Sequence, residues 1–76
     1  MDAYVPIDCG FHDRLEAWSI LGQDCQILYR DADYAVVEVT DQIVDVYAKN
    51  SADFLKLKDD TVIRLDRLVS VNGISP

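Results

Sequence analysis

The sequence predicts an α+β fold, mainly β, in which an N-terminal helix packs on a small, strongly bent five-stranded β-barrel. Three observations carry this. Apolar residues recur at helical spacing only near the start, at Phe11, Leu15 and Trp18. The remainder reads as short alternating runs separated by Gly, Asn and Asp, the pattern of strands and tight turns. The longest of these runs changes its apolar phase part-way, which a flat strand cannot do.

The elements follow in order. Residues 1 to 8 form an extended lead-in, because Pro6 biases Val5 away from helix. Asp8 is the expected N-cap, with the helix running from Cys9 to about Leu21 and stopping at Gly22. Phe11, Leu15, Trp18 and Leu21 or Gly22 make its apolar stripe, and His12, Asp13, Glu16 and Ser19 its polar flank. "CQILYR" is the first strand and "DAD" the turn after it. In "YAVVEVTDQIVDVYAK" the buried positions pass from Val37 and Val39 to Val44 and Val46, so a bulge or bend is expected between Thr40 and Ile43. Lys49-Asn50-Ser51 turns the chain into "ADFLKLK", with Leu55 and Leu57 facing inward. Asp59-Asp60 closes a hairpin to "TVIRL", Asp66-Arg67 interrupts as one helical turn, and "LVSVN" is the last strand. The final "ISP" is expected to fray.

A chain of 76 residues supports one domain, residues 1 to 76, with a modest core. Half of it is hydrophobic, yet no apolar run approaches the roughly 20 residues of a membrane helix. No signal-peptide pattern opens it, so a cytoplasmic location is expected. Two cysteines, Cys9 and Cys25, fit a reducing compartment better than a disulfide framework.

Fourteen acids against seven Lys and Arg give a net charge of −7, and the imbalance lies in residues 1 to 34. Such a surface repels phosphate backbones and favours basic partners, although acidity alone also serves solubility.

No nucleophile elbow or phosphate-binding loop is present, and His12, Asp13 and Glu16 on an exposed flank lack the pocket that acid–base catalysis needs. No catalytic residue is therefore assigned. Cys9 and His12 have i, i+3 spacing with Asp8 or Asp13 nearby, but a structural zinc site takes four ligands and no second Cys/His pair exists. Neither metal nor cofactor is expected; Cys9 reads as half-buried and His12 as a surface residue. Basic residues look few and dispersed at Lys49, Lys56, Lys58, Arg64 and Arg67, and direct binding of nucleic acid is not expected.

The stretch "YVPIDCGFHDRLE" resembles the opening of the Rho-binding antiterminator family, Rof-type inhibitors of bacterial transcription termination, whose pattern is Y-x-P-I-x-C-x-x-Y-D-x-L-E. The likeness continues in "KNSADFLKL" and "IRLDRLVSV" and covers nearly the whole chain. It implies an Sm-like barrel and an inhibitor that binds the N-terminal RNA-binding domain of Rho, keeping RNA from its primary site. By position, His12, Asp13 and Glu16 on the helix, with Lys49 and Asn50 in the loop after the second strand, would face Rho. His12 stands where the family has tyrosine, Gly10 and Phe11 replace usual acids, and Arg14 adds a positive charge. The expectation is a non-enzymatic inhibitor, monomeric when free, that engages no membrane; its alternative is an Sm-like RNA-binding module.

Overall fold

The computed structural model describes residues 3–76, so the first two residues of the expected lead-in lie outside the described residues. A helix, α1 (Cys9–Leu21), precedes five strands: β1 (Asp24–Arg30), β2 (Val36–Lys49), β3 (Ala52–Leu57), β4 (Val62–Arg64) and β5 (Leu68–Val71). One 3-10 turn, Leu65–Arg67, joins β4 to β5, as the Asp66-Arg67 interruption predicted.

The helix starts because Asp8 caps it: the carboxylate accepts from the Phe11 amide at 3.2 Å. It stops because Gly22 enters the left-handed region at φ 66°, its amide donating to the carbonyls of Trp18 and Ser19. Phe11 and Leu15 are buried, and Trp18 is half-buried with its ring edge-on to Phe11 at 6.3 Å. The expected stripe ends there, since Leu21 is 63% exposed. At about 100° per residue, Leu21 has drifted off the Phe11–Leu15 line while Gly22 lies on it. The same rotation places Cys9 opposite Phe11, and it is exposed rather than half-buried.

The five strands form one antiparallel sheet in the order β4-β3-β2-β1-β5. Its organiser is β2, whose first half pairs with β1 and whose second half pairs with β3. The register slips between Ile43 and Asp45, one residue later than the sequence reading placed the bend. Ile43 is buried and Val46 half-buried, so the inward face passes from odd to even across the extra residue, Val44. Val44 is thus the bulged position and is 47% exposed, correcting its assignment to the core. Val37 and Val39 are half-buried.

The turns are built from residues tolerant of positive φ. Asn50 and Ser51, at φ 53° and 65°, make the two-residue loop between β2 and β3. Tyr34 at φ 62° and Asp60 at φ 75° each close a three-residue loop whose first part is a tight turn. Asn72 and Gly73 turn the chain back so that Val71 and Ile74 exchange hydrogen bonds at 2.9 and 3.0 Å. Ile74, the first residue of the "ISP" end expected to fray, is therefore held.

Leu15, Cys25, Ile27, Ile43, Leu55, Leu57, Leu65 and Val71 form the centre of the core. The lead-in is clipped to it: the Val5 amide donates to Asp66 at 3.0 Å and the Tyr4 hydroxyl to Asp53 at 3.3 Å. No ladder joins β4 to β5 among the described residues, so the hydrogen bonding of a closed barrel is not found. These edge strands have three and four residues and are separated by the 3-10 turn. No helix among the described residues is long and apolar enough to cross a membrane.

Candidate functional site: the outer flank of the helix

With Phe11 and Leu15 directed inward, helical rotation turns His12, Asp13, Glu16 and Ile20 outward. The side-chain donor atoms of His12, Asp13 and Glu16 all lie within 4.8 Å of one another. His12 Nδ1 sits 2.9 Å from Glu16 Oε1, an i, i+4 contact with the imidazole half-buried and the carboxylate exposed.

Asp13 makes no hydrogen bond or ion pair among the described residues. It stands five residues into the helix, and the first turn contains no acid. A carboxylate's interaction with the helix dipole fades within a turn, so Asp8 caps the helix and Asp13 does not. Asp13 is an exposed charge that the fold does not use.

The bulge in β2 enlarges this surface. Passing the extra residue at Val44 leaves Asp45 exposed on the outer face, where it lines a shallow cleft of about 230 Å3 with Glu16, Ser19, Ile20 and Val46. Ile20, 85% exposed, therefore lies among acidic side chains. Sequence reading missed Ile20 and Asp45. Ile20 was legible as the i+4 neighbour of Glu16, whereas Asp45 required the position of the bulge.

His12, Asp13 and Glu16 offer one imidazole nitrogen and carboxylate oxygens to a cation. Cys9 and Asp8, weighed as ligands from spacing, do not belong to that group. Three ligands on an open helix face fall short of a four-ligand structural zinc site. Phe11, at a position where the resembled family carries an acid, is 4% exposed and belongs to the core.

Lys49 and Asn50 are exposed at the β2–β3 turn, where Asn50 supplies the left-handed backbone that the turn demands. No hydrogen bond or ion pair among the described residues joins either to the helix. On β3, Lys56 pairs with Asp60 at 3.2 Å and Phe54 stacks on Tyr47 at 5.6 Å. The cations are less dispersed than the sequence implied, since Arg30, Arg64 and Arg67 meet around neighbouring grooves.

Perturbed ionisations lie away from the helix flank. Burial, then Asp53 beside it, raises the Tyr4 phenol above its ordinary value. Burial likewise pushes the Cys25 thiol up, which keeps it protonated and unreactive. The Thr61 hydroxyl and amide lower the Asp59 carboxyl by hydrogen bonding to its charged form.

No family model, curated protein or solved structure matches this chain.

Proposed function

We propose that this chain is a non-enzymatic, cytoplasmic inhibitor of the bacterial termination factor Rho, of the Rho-binding antiterminator type. It would bind the N-terminal RNA-binding domain of Rho and deny RNA the primary site. The observation that carries the reading is the exposed flank of α1, where Asp13 and Glu16 converge beside His12 and one of them has no role in the fold. A surface that binds phosphates is cationic, so it attracts such a flank.

The arrangement supports a division of labour. Ile20 supplies an apolar contact able to exclude water, while Asp13, Glu16 and Asp45 around it direct the encounter. Lys49 and Asn50 would contribute a second contact from the turn. The bent sheet, with β4 and β5 joined by a single turn, supports an Sm-like architecture for the body.

The test is charge reversal. Glu16→Lys and Asp13→Lys should fold as the parent by circular dichroism, since both side chains are exposed. Like charges across the interface should then weaken binding to purified Rho by at least about tenfold and abolish relief of Rho-dependent termination. Asp33→Lys, exposed in the β1–β2 turn and outside α1, is the control. Equal inhibition by Glu16→Lys and Asp33→Lys would reject the helix flank as the interface. Tight binding of RNA by the protein alone would favour the RNA-binding module instead.

A further inference from the structure

The turn that follows β5 carries a chemistry separate from the helix flank. Asn72 and Gly73, both exposed, take φ 53° and 78°. Two successive positive φ values make the tight two-residue hairpin for which Asn-Gly is the favoured pair. The Val71 amide donates to the Ile74 carbonyl at 2.9 Å, and the Ile74 amide returns the bond at 3.0 Å. That exchange does not use the Gly73 amide, and a Cβ built on Gly73 would meet nothing within 4 Å. An open main-chain nitrogen thus follows directly on a side-chain amide. We propose that Asn72–Gly73 is a covalent modification site, at which the Asn72 side chain converts to isoaspartate when the C-terminal turn opens.

The step needs only water. The Gly73 nitrogen loses its proton and attacks Asn72 Cγ, forming a new C–N bond. The side-chain nitrogen leaves with that proton as ammonia, and a cyclic imide remains. Water opening the imide at the former side-chain carbonyl restores the ordinary backbone, with aspartate at position 72. Opening at the main-chain carbonyl gives isoaspartate, whose backbone runs through Cβ and is longer by a methylene. Glycine has no Cβ to crowd its nitrogen, which sets Asn72 apart from Asn50, followed by Ser51.

The fold holds the step back. Asn72 Oδ1 accepts from the Gln26 amide at 3.0 Å, and the Asn72 amide donates to the Gln26 carbonyl at 2.8 Å. The same side chain also bonds the buried Cys25 sulfur. Cγ is therefore pinned towards β1, and the turn must open before it can reach the Gly73 nitrogen. The Asn50 side chain makes no hydrogen bond among the described residues, although its φ is also 53°. The two asparagines share a left-handed backbone and differ in anchorage. Opening of a short terminal turn is local and costs far less than unfolding the core.

Reclosing does not undo the change. A two-residue hairpin has no room for an extra methylene, so the isoaspartate form loses the Val71–Ile74 pair. That pair covers the outer side of β5, the last strand of the sheet. Modification therefore bares the N–H and C=O of Val71 on an edge that the unmodified chain covers.

The experiment incubates the full chain at mildly alkaline pH in buffer, in urea below the unfolding transition and in urea above it. Mass spectrometry then follows the peptides spanning Asn72–Gly73 and Asn50–Ser51. In the unfolded chain Asn72 should convert ahead of Asn50. Folding should lower the ratio of the two rates at least about tenfold, because only Asn72 is anchored. Conversion of Asn72 should continue in the folded protein and change little with urea below the transition, since a local opening exposes little surface. In the separated isoaspartate form, amide exchange should show protection lost at Val71 and Ile74 and kept at Ile43 and Leu57. The aspartate product, prepared as Asn72→Asp, should keep Ile74 protected. The proposal is overturned if folding leaves the ratio unchanged, or if conversion rises with urea in step with global unfolding. It also fails if the isoaspartate form keeps Ile74 protected, or if Asn72→Asp loses that protection equally, which would assign the effect to charge.

Discussion

Tyr4 shows how one side chain can look like a recognition motif and act as a clip. It belongs to the opening pattern that carries the family resemblance, yet its hydroxyl donates to Asp53 and Arg64 lies 5.9 Å from its ring centre. It ties the lead-in to β3 and β4, whereas Asp13 of the same pattern ties nothing. The two therefore separate in mutation. Tyr4→Phe should cost about 0.5–1.5 kcal/mol in urea denaturation, the usual value of one hydrogen bond, and leave Rho binding intact once folded. The raised phenol also gives a sign with pH. Because the folded state favours the protonated form, its contribution is complete below the ordinary tyrosine pKa and is lost as pH rises from there through the raised folded value. A Tyr4→Phe protein should lose less stability over that alkaline range than the parent. Identical alkaline limbs would show that Tyr4 does not hold the lead-in.

At the scale of elements, local chemistry was legible and long-range pairing was not. The helix could be read from Asp8 to Gly22, because a cap, an apolar stripe and a glycine stop are written in neighbouring residues. Each strand was recoverable for the same reason. The bend in β2 was visible as a change of phase, but alternation alone does not identify the extra residue. Only the pairing of Ile43 with Leu57 and of Asp45 with Lys56 assigns it to Val44, and with it the exposure of Asp45. The meeting of Arg30 with Arg64 and Arg67 was invisible, since it depends on how β1 and β4 are arranged across the bent sheet. The helix residues of the candidate site could be read from spacing; any spatial relation to Lys49 and Asn50 could not. The β2–β3 turn offers the element-scale prediction. Ser51 occupies a left-handed position that costs an L-residue about 1–2 kcal/mol, and glycine avoids it. Ser51→Gly creates the favoured Asn-Gly turn and should raise the urea midpoint with an unchanged slope, by about 1 kcal/mol after the added unfolded-state entropy. A lowered midpoint would mean that the serine side chain contributes to the turn.

Over the whole molecule, one charge distribution acts on two equilibria with opposite signs. Fourteen acids on 76 residues repel one another, and the compact state brings them closer than the unfolded chain does. Added salt shortens the range of that repulsion to about 8 Å at physiological strength, so moderate salt should stabilise the folded monomer. The proposed complex depends on the same acids being attracted to a cationic surface, so the same salt should weaken it. Between low salt and about 0.15 M, thermal unfolding should move upward while the dissociation constant for Rho increases. Removing acids from the flank should reduce the second response far more than the first, which draws on all fourteen. Asp13→Asn and Glu16→Gln together should flatten the salt dependence of Rho binding, and most of that loss should lie in the association rate. The apolar contact assigned to Ile20 should remain, so Ile20→Ser would lower affinity equally at every salt concentration by shortening the life of the complex. Binding that strengthens with salt would place the affinity in apolar contact alone and remove the acids from the interface. Binding indifferent to salt, together with an unaltered response of Glu16→Gln, would reduce the acidic flank to a solubilising face of a capped helix.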